Sequence, residues 1–179
     1  MVSINFNSIA ERVNTWNSIA GMDTEDDKAL EEQIKLYVEL CHEETGEGYD
    51  AVIADTGERL ANPDYQEVLD MAVDNFVVLS RLITLLSRRG FSVNTAFERV
   101  LENNDTKFID NTYEGLGGDL PEVILENIHY YKQKNIEVIY KYNKDHDKFI
   151  LFNRATGKIL KPKEFESVNI SDLVPEDLL

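Results

Sequence analysis

The chain has 179 residues, 42% of them apolar and 29% charged, enough for one soluble domain with a real core and a small appendage. Its 34 Asp and Glu against 18 Lys and Arg give a net charge of −16, which argues against stable binding to a nucleic-acid backbone, because such binding depends on cations displacing counterions. The single Cys41 excludes an intrachain disulfide framework and fits a reducing cytoplasm, and no basic region followed by an apolar run opens the sequence, so secretion is not expected.

In chain order, residues 7–18 read as a helix, with Ser8 and Glu11 in a capping-box pattern and Ile9, Val13 and Trp16 at helical spacing. Trp16 at that spacing is expected in the core rather than stacked on a ligand. Gly21 ends the segment. A long helix is expected from about Thr24 to about Ala54, with Asp23 to Asp27 near its positive end and Leu30, Ile34, Tyr37 or Val38, and Cys41 facing the core. Gly46 and Gly48 lie inside it, each costing about 1 kcal/mol relative to Ala, so they predict either a close backbone approach or a local break.

Asn62 followed by Pro63 predicts the start of a second long helix that runs to Arg89 and stops at Gly90. Within it, VLDMAVDNFVVLSRLITLL is broken by Asp70, Asp74 and Arg81, which makes it a buried soluble helix rather than a membrane span. The later part, FVVLSRLITLL, is apolar nearly all round and is expected to be covered by the bundle and by a second subunit. A third helix is expected from Ser92 to about Asn103, burying Val93, Ala96, Phe97 and Val100. After the link YEGLGGDL, a helix is expected from Asp119 to about Lys134, then strands IEVIYKY and KFILF joined by NKDHD, and a turn at Arg154 to Gly157 before KILK. The expected architecture is mainly α: a helical core over residues 1–110, with a C-terminal helix and β-hairpin extension over 111–179.

Two acidic clusters mirror each other across the turn-like stretch DTGERLAN: Glu43, Glu44, Glu47 and Asp50 before it, Glu67, Asp70 and Asp74 after it. Residues 43 and 74, 47 and 70, and 50 and 67 share one midpoint, so an antiparallel helical hairpin would set facing acids along one seam. A solvated acidic face explains either half alone. The two in register, with Asp74 inside an apolar run, favour a hard divalent cation held by oxygen ligands. His42, His129 and His146 show no zinc-like spacing, Cys41 has no His–Asp pattern around it, and Arg88 and Arg89 are explained by the helix dipole alone.

These residues resemble the MazG-like, all-α nucleoside triphosphate pyrophosphohydrolase family, and within it the bacteriophage-type, phosphoribosyl-ATP pyrophosphohydrolase-like members. The resemblance rests on EETGE at 43–47, DMAVD at 70–74 leading into the apolar helix, and VLENNDTK at 100–107, where Asn103 stands in place of the usual Ser. It implies a four-helix-type bundle, a homodimer or homotetramer, and hydrolysis of a nucleotide to its monophosphate and pyrophosphate with Mg²⁺, or Mn²⁺ as the alternative ion. It assigns Glu44, Glu47, Asp70 and Asp74 to the metal, with Glu67 as the alternative to Asp74 for the outer ligand. Glu43 and Glu44 are the candidate catalytic carboxylates, and Asn104 and Lys107 the candidate nucleotide contacts. The expected setting is the cytoplasm, that of the host if the gene is viral, with no membrane partner. The rival expectation is a protein that sequesters a nucleotide or nucleotide signal on the same scaffold without hydrolysing it.

Overall fold

The computed structural model describes residues 6–54, 56–111 and 120–179. The expected helix start at Asp119 and most of the YEGLGGDL link lie outside the described residues. Among the described residues the chain is mainly helical, with five α-helices and one three-stranded antiparallel sheet, and no helix is long and apolar enough to cross a membrane. It divides into two compact units, the first running to Val93 and regaining Leu173–Leu179, the second spanning Asn94–Asp172.

The first unit is built on α1 (Phe6–Ile19), α2 (Asp27–Asp50) and α3 (Tyr65–Arg88). α1 is under way before Ser8, so Ser8 sits in its first turn and is not its N-cap. Gly21, at φ +70°, closes the segment in a left-handed conformation that a residue without Cβ adopts freely. Asp26 caps α2, accepting from the Ala29 N–H at 2.8 Å. The cap of α3 is Asp64, not Asn62: its carboxylate accepts from the N–H groups of Gln66 and Glu67 at 3.0 and 3.2 Å. α2 stops at Asp50 instead of Ala54 because the next residues pair back: Ala54 N–H donates to Glu58 O, Leu60 N–H to Val52 O, and Asp64 N–H to Ala51 O. This tight connection turns the chain so that α2 and α3 run antiparallel and pack along their length.

Leu30, Tyr37, Val78 and Leu85 form the buried core between the two long helices, with Ile34, Leu40, Cys41 and Leu82 against it. Val38 is exposed, which settles the Tyr37-or-Val38 choice in favour of Tyr37. Tyr37 keeps its hydroxyl satisfied inside by donating to Asn17 Oδ1 at 2.8 Å, and Asn17 in turn donates to Val13 O. The core face of α1 therefore runs through Val13 and Asn17. Trp16 lies about 100° round the helix from Asn17 and is 63% exposed, so the core placement expected for it is corrected. Arg81, 1% exposed, is the polar anchor of this unit: its guanidinium donates to Met22 O at 3.0 Å and Gln33 Oε1 at 3.2 Å, and meets Asp23 at 3.5 Å. Arg88 donates to the same Asp23 at 2.8 Å, and Arg89 joins Glu31 to Asp177 of the C-terminal residues. These arginines have partners beyond the helix dipole.

In the second unit β1 (Ile109–Asp110), β3 (Lys148–Asn153) and β2 (Val138–Asn143) lie in that order, all antiparallel, with Tyr140 opposite Leu151 and Tyr142 opposite Phe149. α5 (Glu122–Lys132) packs with the sheet over a core of Ile109, Ile124, Tyr131, Phe149, Leu151 and Leu160. Asn127, fully buried, ties the following segment down by accepting from the Lys163 N–H at 2.7 Å, and Tyr131 OH donates to Lys161 O at 2.6 Å. KILK contributes one bridge, Ile159 to Phe152, rather than a full strand. α4 (Val93–Asp105) departs from expectation: none of its residues is buried, and Phe97 and Val100, assigned to the core, are exposed. Polar contacts hold it instead, with Arg99 forked onto Asp172 at 2.6 and 2.9 Å and Asn103 donating to Glu166 O at 2.8 Å.

Candidate metal centre

The acidic residues flank a close approach of α2 and α3 at Gly48 and Met71. A β-carbon at Gly48 would fall 2.4 Å from Met71 Cγ, so the missing side chain is what lets the Met71 side chain lie against the α2 backbone. Of the alternatives the two glycines allowed, close approach holds at Gly48. Nothing stands within 4 Å of a β-carbon at Gly46, and the helix is continuous through both. Three residues earlier on α2, Thr45 Oγ1 donates to Cys41 O at 2.7 Å and lies 3.4 Å from Asn75 Oδ1. These two contacts fix the register.

That register differs from the equal-midpoint pairing. With Thr45 facing Asn75 and Gly48 facing Met71, Glu47 comes level with Ala72 and Val73, and Asp74 comes level with Thr45 and Gly46, between Glu44 and Glu47 rather than opposite Glu43. The shift follows from packing: the tightest fit, glycine against methionine, decides the register, and the carboxylates take the places that result.

Glu44 and Asp74 are half-buried, while Glu43, Glu47 and Asp70 are exposed, as are Asp50 and Glu67 nearer the turn. The Glu44 carboxyl is held above its ordinary value, first by burial and then by the charges of Asp74, Glu47, Glu43 and Asp70 in that order. The helices thus bring these five acids within electrostatic reach of one another, with Glu44 at their focus. Cys41, one turn before Glu44, has its thiol pushed up by burial and by Glu44, which makes it a poor nucleophile. Among the described residues, no three Asp, Glu, His or Cys side chains converge as a ready-made ligand set.

Asn104 and Lys107 belong to the second unit. They are bonded to each other, Lys107 Nζ donating to Asn104 Oδ1 at 2.5 Å, and Lys107 Nζ also stands 5.9 Å from the centre of the Phe165 ring, with Lys161 at 4.4 Å from the same ring. Sequence reasoning missed two features of the first unit. Arg81 gave no signal beyond a charge inside an apolar run. Arg12, four residues before Trp16 and on its side of α1, gave one only through that spacing.

Four carboxylates acting on a fifth, Glu44, whose proton affinity they raise, make a region of negative charge that a divalent cation would neutralise. Comparison with known proteins adds little. No protein-family model matches the chain, and no solved structure matches it. An uncharacterized protein of Acanthamoeba polyphaga mimivirus is 28% identical over 109 residues, a stretch that covers 59% of this chain and 40% of the viral protein. The chain therefore spans less than half the length of that relative.

Proposed function

We propose that this protein is a Mg²⁺-dependent nucleotide pyrophosphohydrolase on a four-helix-type bundle of the MazG-like kind, cleaving a nucleoside triphosphate or related nucleotide to its monophosphate and pyrophosphate. One observation carries the reading: two antiparallel helices gather Glu43, Glu44, Glu47, Asp70 and Asp74 around one half-buried carboxyl whose proton affinity they raise. Self-repelling acids are costly unless a cation joins them.

Glu44, Glu47, Asp70 and Asp74 would hold the ion. Bound there, Mg²⁺ would polarise a phosphoryl oxygen and lower the pKa of the attacking water. Glu43, exposed beside Glu44 on α2, would accept the proton as water attacks phosphorus in line and the bond to the pyrophosphate oxygen breaks. Positioning and charge neutralisation supply most of the rate in such a displacement. The resemblance gives Asn104 and Lys107 to the substrate, and a raised KM in Lys107→Ala with kcat kept tests that assignment. Leu69, Val73 and Leu79 on α3, all exposed, support assembly into a homodimer or homotetramer.

The reading is tested by incubating the protein and Mg²⁺ with a panel of nucleoside triphosphates and separating the products by anion exchange. Monophosphate with pyrophosphate is expected, and Glu47→Gln should abolish it. No turnover of any nucleotide, or turnover unchanged in Glu47→Gln, overturns it.

A further inference from the structure

Half of the chain's cations sit on one short stretch of an otherwise acidic molecule: nine of its 18 Lys and Arg lie between Lys132 and Lys163, against three of its 34 Asp and Glu. That stretch contains β2 and β3. Of its three acids, Glu137 is held by Arg154 at 2.5 Å and Asp147 accepts from the Tyr142 hydroxyl and from Asn111, which leaves Asp145 in the turn. Lys134, Lys141 and Lys144 are exposed, and among the described residues no carboxylate pairs with them. Screening at physiological salt acts over about 8 Å, so these nearby cations, not the net charge of the whole chain, set the potential around β2.

The backbone of β2 supplies a second, independent observation. The sheet order β1-β3-β2 leaves this strand on an edge. Arg154 N–H donates to Glu137 O at 2.9 Å, and bonded pairs alternate with unbonded ones in an antiparallel ladder, so Ile139, Lys141 and Asn143 bond inward to Phe152, Ile150 and Lys148. β3 agrees: Leu151 O and the Asn153 N–H turn the other way, to Leu160 and Lys158. The N–H and C=O groups of Val138, Tyr140 and Tyr142 therefore point off the open edge, and among the described residues no hydrogen bond reaches them. Their two-residue repeat, about 6.8 Å, matches that of an extended chain. Ile139, Tyr140 and Tyr142 on this strand are all exposed.

We infer that the β2 edge is a docking site for an extended acidic peptide of another protein, added to the sheet as a fourth strand. Backbone bonds to Val138, Tyr140 and Tyr142 hold it, and its acids meet Lys141 on the sheet face and Lys134 and Lys144 toward the two ends. A second copy of β2 is the poorer occupant. With Tyr140 on the twofold axis, Lys141 of each copy faces Ile139 of the other and lies diagonal to the other Lys141 on the same face, with no acid between the two charges. Lysine on an edge strand guards against such self-pairing, and an acidic strand turns the guard into a contact. The site is independent of the hydrolase reading.

The full-length protein is titrated by fluorescence anisotropy with a short labelled peptide that alternates Glu and Val, with the same peptide carrying Lys for Glu, and with a single-stranded oligonucleotide of equal negative charge. Amide hydrogen exchange is followed by NMR in the free and bound protein. Saturable, salt-sensitive binding of the acidic peptide alone is expected. The amides of Val138, Tyr140 and Tyr142 should exchange fast in the free protein and slowly in the complex, while those of Ile139 and Lys141 are slow in both. Lys141→Glu should weaken binding roughly fivefold. Tyr140→Pro removes an edge N–H that bonds nothing in the sheet and should abolish binding, whereas Tyr140→Ala keeps that N–H and should bind, both judged folded by circular dichroism. No binding of the acidic peptide, binding without new protection at the three edge amides, or Lys141→Glu equal to wild type overturns the inference. Tighter binding of the oligonucleotide overturns it in favour of a nucleic-acid surface, and edge amides already protected in proportion to protein concentration overturn it in favour of pairing between copies.

Discussion

Gly46 and Gly48 are two residues apart on one helix, yet they should answer the same substitution with opposite sign. Replacing either by Ala relieves a helix-interior glycine and gains about 0.8–1 kcal/mol. At Gly46 nothing lies within 4 Å of the new methyl group, so the gain stands. At Gly48 the methyl group would meet Met71 Cγ at 2.4 Å, Cε at 2.6 Å and Cβ at 2.9 Å. The first two can swing away about the Met71 torsions. Cβ cannot, so the helices must separate by a few tenths of an ångström, and overpacking of this kind costs about 1–3 kcal/mol. Gly48→Ala should therefore be less stable than Gly46→Ala by about 1–3 kcal/mol, or roughly 2–12 °C in Tm for a chain of this length. Urea denaturation with a shared m-value measures the difference, and combining Gly48→Ala with Met71→Ala should show coupling that returns part of the loss. Equal stability of the two variants, with no coupling to Met71, would refute the register argued for the acidic seam.

Other outcomes follow from the same geometry. Glu44→Gln removes one of five mutually repelling charges, so in chelator it should melt higher than wild type by about 1–3 °C and gain less on addition of Mg²⁺; identical melting in both buffers would mean the acids do not sense one another. Arg81→Ala leaves Gln33 Oε1 without its donor and Met22 O with the bond from Gln33 Nε2 alone, and should cost about 2–4 kcal/mol by denaturant melting, whereas a loss below about 0.5 kcal/mol would show that water replaces the guanidinium. Acid should loosen the ion pairs at the base of the first unit. Asp177 is held below the usual carboxylate range by its hydrogen bond from Arg89, and Asp23 by hydrogen bonds from Ser18 and Arg88. A carboxyl lowered by folding stabilises the native state above its unfolded pKa and stops doing so as pH falls through the folded one, so the Tm difference between wild type and Asp177→Asn should hold to about pH 4 and shrink below it. A difference unchanged at lower pH would exclude a titrating pair.

Much of the helical framework was legible because its signals are local. Hydrophobic spacing marked α1, α2 and α3 to within a few residues, and alternation between polar turns marked β2 and β3. Errors came where a long-range contact overrode a local rule. Asn62-Pro63 is a good helix start in isolation, but the backbone bond from Asp64 to Ala51 O sets the chain direction first, and Asp64 becomes the cap. β1 escaped notice because two residues at a sheet edge carry no periodicity, only a partner in Phe149 and Lys148.

The sequence by itself determined that two acidic stripes and an apolar helix exist, because charge and periodicity are properties of neighbours in the chain. Only the tertiary structure decided how the stripes meet. Gly48 accepts Met71, that fit slides Asp74 in between Glu44 and Glu47, and the pairing inferred from a common midpoint gives way to one set by close packing. The same holds for Trp16, whose spacing assigns it to the face of Ile9 and Val13, while the placement of Asn17 against Tyr37 turns its indole out to border a cavity. Spacing names a face within about a third of a helical turn, and burial is decided inside that margin by what the neighbouring helix presents.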